Sequence, residues 1–369
     1  MLSEDKLNQH PGLFGIKHSN RDFAQERAWG KNCFNSSFPA SLCSYLYHRN
    51  LENIYLKLDY NLQVVHSSIS TAEFYRINPT SDNLFYAFET QFTPYQQYLI
   101  GTIPGVDLVV QARDTGHCLQ GVEIKLTALP DNTTCELSEK FYGCEIVVRP
   151  DTIVYLACSI VKIFKQNLES LKNLIFNGFE NILDWTEPMS VIPQVPNMLK
   201  ILDSIALSSL ESQTPLLMQP IWKTEGKSPK LVDNCLDIFI WSNLAFTRLF
   251  VDLAKSETNS PNGIREIKKH TRTVIWLFKM ILDFSIDDSF NHRKIIHNLS
   301  YNTKNDKAFA VSGRVTHTYM NSEVLRQPRI KKNDIKNIIL GGGQNLLSPE
   351  RRFDAIIYNS PDLFNEYSE

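Results

Sequence analysis

Apolar residues recur at two different spacings along this chain, and the change falls near Pro150. Before it, short apolar runs alternate with polar residues and are separated by turn formers, the two-residue period of strands. Residues 51–65 predict two short strands around Asp59-Tyr60-Asn61. Residues 106–110 and 122–126 predict a hairpin over 104–128, with Arg113-Asp114-Thr115-Gly116-His117 as its tight turn. A further strand is expected over 144–149, after the turn-rich linker 130–134. Helices are expected over 39–48, 70–76 and 83–99, with Pro94 interrupting the last.

After Pro150 the spacing becomes three and four residues. Ile153, Leu156, Ile160, Ile163, Phe164, Leu168, Leu171, Leu174 and Ile175 predict one amphipathic helix, or two, over 152–185. The same reading applies to 195–210, 232–254 and 264–284, with Pro- and Ser-rich joints at 212–230 and 256–263. The chain thus divides into an α/β core over 1–150, a mainly helical region over 151–300, and a mixed, basic segment over 301–369 that packs back on the core.

Composition narrows the picture. Hydrophobic residues make up 43% and charged residues 21%, which permits a large core and argues against wholesale disorder. The formal net charge is −2, so any nucleic-acid surface must be local, with acids segregated elsewhere. The most apolar long stretch, 236–253, contains Asp237, Arg248 and Asp252 and reads as a helix of a soluble protein, not a membrane span. The N-terminus lacks a secretion signal. Seven cysteines with no Cys-x-x-Cys pair suit reduced thiols in a cytoplasm.

The chemistry concentrates in the hairpin over 104–128. Both of its strands carry an acid where a sheet interior wants apolar residues: Asp107 in the first and Glu123 in the second. Folding the hairpin brings the two together, and Lys125 falls on the same face as Glu123. Two carboxylates and one amine on adjacent strands suit a magnesium ion, which takes oxygen ligands in octahedral geometry and keeps several waters. The Ile124 carbonyl offers a third oxygen, and Glu89, or less directly Glu73, a further acid from a preceding helix. Other acid-x-Lys triplets lie at a terminus, in a Pro/Ser-rich joint, in an amphipathic helix and in a basic segment. Only Glu123-Ile124-Lys125 lies in an apolar strand with an acid on its neighbour. The bland alternative is an exposed edge hairpin with solvated side chains.

The Asp107…Glu123-x-Lys125 pattern resembles the PD-(D/E)xK nuclease superfamily. Segments 15–23, 29–32, 38–40, 122–131 and 341–354 resemble one branch of it, the HindVP/HgiDI-type type II restriction endonucleases. The resemblance implies a core of mixed sheet flanked by helices, with a large helical insertion. It also implies a Mg²⁺-dependent endonuclease of a bacterial restriction-modification system, acting in the cytoplasm on double-stranded DNA. The expected target is a short palindrome, for this branch the degenerate GRCGYC, cut to leave 5′-phosphate ends. A palindrome is matched most simply by a two-fold dimer, so a homodimer is expected. The active-site acids and lysine map onto Asp107, Glu123 and Lys125. The acid of the first strand is preceded by Val106 instead of proline, with Pro104 three residues upstream.

DNA contacts require local positive charge and side chains that reach base edges. Between 314 and 336, six Lys/Arg (314, 326, 329, 331, 332, 336) face only Glu323 and Asp334. Arg326, Gln327, Arg329, Lys331 and Lys332 are the candidates there, since Arg reads guanine and Gln reads adenine in a major groove. Arg351 and Arg352 follow a helix-start signal, and His18, Asn20 and Arg21 fit either DNA contact or a capping or core role. His292, Arg293, Lys294 and His297 form a basic helix face expected to be solvated. The rival functions are a PD-(D/E)xK nuclease of repair or end processing, and a non-enzymatic DNA-binding or scaffold protein.

Overall fold

The computed structural model describes residues 18–20, 52–76, 78, 81–126, 145–225, 228–240, 243–259, 266–303 and 306–312. For 124–126, 145–147, 216–225, 228–240 and 311–312 it describes the backbone alone. The expected helix over 39–48, the linker 130–134 and everything after 312 lie outside these residues.

One seven-stranded sheet organises the fold. Its strands are β1 (Asn53–Leu58), β2 (Val64–Ile69), β3 (Leu84–Thr90), β4 (Val106–Ala112), β5 (Cys118–Leu126), β7 (Leu216–Glu225) and β8 (Ser228–Ile240), in the order β2-β1-β7-β8-β5-β4-β3. A second sheet of two strands pairs β6 (Glu145–Val148) with β9 (Phe309–Ser312). Every pairing between named strands is antiparallel. The mixed sheet implied by the resemblance is therefore antiparallel here. Short hairpin links at β1–β2, β4–β5 and β7–β8 force that geometry, because a parallel pair needs a long crossover. Among the described residues, parallel pairing is confined to isolated bridges, Ser19 with Tyr86 and Leu99 with Phe290.

Eight α-helices are described: α1 (Thr71–Tyr75), α2 (Pro150–Phe164), α3 (Leu168–Phe176), α4 (Pro188–Val191), α5 (Val195–Ser208), α6 (Leu244–Thr258), α7 (Lys269–Asp287) and α8 (His292–Asn298). Their starts follow the sequence. Ser70 accepts from the Glu73 N–H ahead of α1, as an N-cap should, and Asn167, Asn243 and Asn291 cap α3, α6 and α8 in the same way. Pro150 occupies the first turn of α2, where its missing N–H costs nothing.

Helix α7 lies at the centre of the helical layer. Residues 274–278, with Met280 and Ile281, are all 0% exposed, so α7 is buried around nearly its whole girth and packs against α2, α3, α5, α6 and α8. Each such large side chain contributes about 1.5–3 kcal/mol over an exposed one. Arg272 is buried beside Trp276 and donates to the carbonyls of Thr303 and Lys307, which ties the approach to β9 onto α7. Helix α2 is buried likewise along Val154, Ala157, Cys158 and Val161. Cys118 and Cys158 are buried free thiols.

Two expectations need correction. Residues 83–99 form strand β3 and a 3-10 helix over Thr93–Tyr98, not one interrupted helix. The run Leu-Phe-Tyr-Ala-Phe is rich in aromatic residues and finds a partner in β4, which decides the period. Residues 212–254 are not a joint and a helix. They form the β7–β8 hairpin followed by α6, so the stretch 236–253 is strand first and helix second. A short apolar run such as Leu236–Ile240 fits either period, and its place between β5 and β7 settles it as strand. The mainly helical region thereby lends two strands to the sheet built from residues before 150.

Candidate active site

Strand β5 changes partner along its length. Residues 118–122 pair with β4, and residues 123–126 pair with β8. Glu123 sits at that fork. The last paired positions of β4 and β5 are Leu108 and Val122, and one further step of the same register sets Asp107 opposite Glu123. Directly opposed residues of antiparallel strands share a face and hold their Cβ atoms about 4.5–5.5 Å apart. Both acids are half-buried. Position 125 lies two residues further along β5, opposite Ile238, and shares the pleat face of position 123. Ile124 lies between them, opposite Phe239.

Glu89 is on a strand, where a helix was expected. β3 pairs Phe88 with Leu108 and Thr90 with Val106, so Glu89 falls opposite Asp107. Its φ of 50° breaks the strand geometry there, and the residue is exposed. The three acids thus occupy one line across β3, β4 and β5. Glu73, the lesser candidate, lies in the first turn of α1, beside its cap. Among the described residues no group of three or more His, Cys, Asp and Glu side chains is arranged to hold a metal ion. The expected set is two carboxylates with a backbone carbonyl, and Glu89 as a further acid.

Helix α2 closes the site from below. The Thr152 hydroxyl donates to Glu123 Oε1 at 3.2 Å, from the first turn of the helix. One turn on, the Tyr155 hydroxyl donates to the Pro104 carbonyl at 2.6 Å and accepts from the Phe92 N–H at 3.1 Å. That phenol fastens the segment entering β4 to the segment leaving β3, the two ends that carry Asp107 and Glu89. Burial pushes the Tyr155 phenol well above its ordinary range, and the nearby Cys158, Glu123 and Asp151 add to the rise against the opposing Phe92 bond. The hydroxyl therefore stays protonated and acts as a donor. Sequence reading missed both residues. The only signal was Pro150-Asp151, correctly a helix start, which aims the first turn of α2 at the sheet.

The N-terminal segment reinforces the free edge of β3. Tyr86 N–H donates to the His18 carbonyl at 2.9 Å, and Asn20 Oδ1 accepts from the Phe88 N–H at 2.8 Å. Asn20 Nδ2 returns a bond to the Phe88 carbonyl at 2.9 Å, so this amide is bound to backbone beside Glu89. Asn20 thus has a structural role at the edge of β3. His292, expected on a solvated face, is only 3% exposed, while Arg293, Lys294 and His297 are exposed. Arg21, Arg326, Gln327, Arg329, Lys331, Lys332, Arg351 and Arg352 lie outside the described residues.

A family model described as "HindVP restriction endonuclease" matches residues 29–364. The chain belongs to the HindVP restriction endonuclease family. By that membership it is an enzyme, and the scaffold reading is set aside. It is 48% identical over 358 residues to the probable type II restriction enzyme HindVP of Haemophilus influenzae, covering 97% of this chain and 96% of that protein. It is 43% identical over 362 residues to the type II restriction enzyme HgiDI of Herpetosiphon aurantiacus, covering 98% and 99% respectively. No solved structure matches. Among the described residues no helix is long and apolar enough to cross a membrane.

Proposed function

We propose that this restriction endonuclease is a Mg²⁺-dependent type II enzyme of the PD-(D/E)xK kind. In this reading it hydrolyses double-stranded DNA at a short palindrome, GRCGYC, in the bacterial cytoplasm. The observation that carries the reading is the register of β3, β4 and β5, which aligns Glu89, Asp107 and Glu123 at the fork where β5 leaves β4 for β8. Hard oxygen donors held at a gap between strands fit magnesium, with Asp107, Glu123 and the Ile124 carbonyl as ligands and Glu89 as an outlying fourth. When bound, the ion supplies positive charge against the scissile phosphate and makes nearby water more acidic.

The chain's own groups do the rest. Thr152 orients the Glu123 carboxylate through its hydroxyl. Tyr155 fixes the height of β4 against β3, and so the spacing of the acids. The Lys125 ammonium holds the attacking water in line and favours loss of its proton. The water oxygen bonds to phosphorus as the P–O3′ bond breaks, the proton passes to O3′, and the products are a 3′-hydroxyl and a 5′-phosphate. Two copies of the chain would match the two halves of the palindrome, with the basic segment 301–369 supplying further DNA contacts.

Plasmid DNA with Mg²⁺ tests this directly. Discrete fragments with ligatable 5′-phosphate ends are expected, lost with EDTA and reduced roughly a thousandfold by Lys125→Ala with the thermal midpoint unchanged. A smear would point to an end-processing nuclease instead, and full cutting by Lys125→Ala would remove the lysine from the mechanism.

A further inference from the structure

A cavity of about 480 Å³ is lined by residues that adjoin the site along the chain. Thr102 and Pro104 lie on the segment entering β4, Asp151 on the first turn of α2, and His292, Arg293 and His297 on α8. Pro104 accepts the Tyr155 hydroxyl, and Asp151 precedes the threonine that donates to Glu123. Two lining residues, Pro104 and Asp151, are thus tied to the groups that hold the carboxylate line.

Helix α8 is held firmly at this place. Phe290, just before it, is 1% exposed; its N–H donates to the Tyr98 carbonyl and its carbonyl accepts from Ile100 N–H. Those bonds attach α8 to the very segment that becomes β4. Trp276 Nε1 donates to the Leu299 carbonyl at 2.8 Å and fixes the other end onto α7. The helix presents Arg293 and His297, four residues apart and so on one face, to the cavity. Among the described residues Arg293 forms no salt bridge. His292 is buried behind it with its Nδ1 unpartnered. Burial, helped by the Arg293 charge, pushes that imidazole down to about 4, so at neutral pH it is an uncharged wall. Asp151 is the one acid in the lining, and it sits at the positive end of α2, which offsets its charge.

A cavity of this size accommodates a sugar-phosphate group, and a guanidinium is the side chain best shaped to clamp phosphate oxygens. We propose that Arg293 and His297 grip a DNA backbone phosphate flanking the scissile one, so that α8 sets the register of the duplex over the carboxylate line. The inference rests on the endonuclease reading. It assigns a DNA contact to a helix that carries no base-reading role, since phosphate contacts position the duplex without specifying sequence.

The test is DNA binding without metal, by fluorescence anisotropy of a duplex containing GRCGYC, in EDTA across about 50–200 mM salt. Arg293→Glu should weaken binding about tenfold or more and reduce the salt slope by about one, equally for specific and unrelated duplexes. Arg293→Lys, which keeps the charge, should retain the slope. Asp107→Ala should bind with the wild-type slope although it cannot cut. Wild-type affinity and slope in Arg293→Glu, at an unchanged thermal midpoint, would overturn the assignment while leaving the endonuclease reading intact. A wild-type protein that shows the Arg293-dependent slope but never cleaves would do the reverse. Absence of any DNA binding would sink both.

Discussion

The sheet contains two hairpins of opposite character, β4–β5 and β7–β8. The first announces itself in the sequence: apolar alternation, a five-residue Arg-Asp-Thr-Gly-His connection, and acids set into the strands. The second hides behind proline, serine and an apolar run that fits a helix as well as a strand. They nevertheless depend on each other. β5 has only its first half on β4, and its second half, which carries Glu123 to Leu126, is held by β8. The hairpin proposed to carry the chemistry is therefore positioned by β7–β8. A site read from its own strands alone leaves out the element that aims it.

That dependence can be broken directly. At 237–240, β8 is paired on both sides, with β5 and with β7, so any proline there deletes a ladder bond. Phe239→Pro should cost on the order of 2–4 kcal/mol and abolish cleavage with it. Lys223→Pro is the control. Residues 222–225 of β7 pair only with β8, beyond the part that meets β1, and β7 already carries Pro220 beside its register shift. The two variants compared by urea unfolding should differ by at least twofold in midpoint loss. Equal losses would mean that β8 does not buttress β5.

A smaller effect separates holding the site from holding the fold. Tyr155→Phe removes one donor to Pro104 and one acceptor for Phe92 without opening a void. The stability loss should be about 1–2 kcal/mol, since the Pro104 carbonyl and Phe92 N–H are left to find other partners. Cleavage should fall further than that, about tenfold, because the phenol spaces β3 against β4 at the acids. Measured together, the thermal midpoint and the single-turnover cutting rate distinguish the roles. Proportional losses in both would make Tyr155 merely structural.

The sequence was legible where local chemistry and tertiary context agree. Ser70 starts α1 and Pro150 starts α2. That Asp107 and Glu123 lie near each other follows from strand period and turn placement, but their direct opposition depends on the register shift between Val110 and Gln111, which the sequence did not signal. What could not be read was long-range. Nothing near Thr152 says that its hydroxyl meets a carboxylate 29 residues away, and nothing near Asn20 says that its amide will bond to Phe88. The β7–β8 link offered one usable sign, Gly226-Lys227 between the paired Glu225 and Ser228, a Gly-first two-residue connection suited to a hairpin. Its neighbouring Pro229 and Ser228 read more strongly as a joint, and that reading was misleading.

The smallest perturbation returns to the legible hairpin and asks what made it so. Gly116 has a φ of +66°, in the left-handed region, at the turn where its N–H donates to the Ala112 carbonyl and Ala112 N–H donates to His117. A Cβ added there would meet nothing within 4 Å, so Gly116→Ala introduces no clash, only conformational strain. That strain is worth about 1 kcal/mol. The turn is also tied to β3, because the Asn83 carbonyl and side chain accept from Arg113 and Asp114 N–H. The turn is thus held by Asn83 as well as by Gly116, and the register shift between Val110 and Gln111 separates it from the acids at the far end of β4 and β5. Gly116→Ala should therefore lower the thermal midpoint by a few degrees, in line with about 1 kcal/mol, and leave the cutting rate within about twofold. A large loss of cutting at that modest cost in stability would show that the turn, not β8 and Tyr155, keeps Asp107 opposite Glu123.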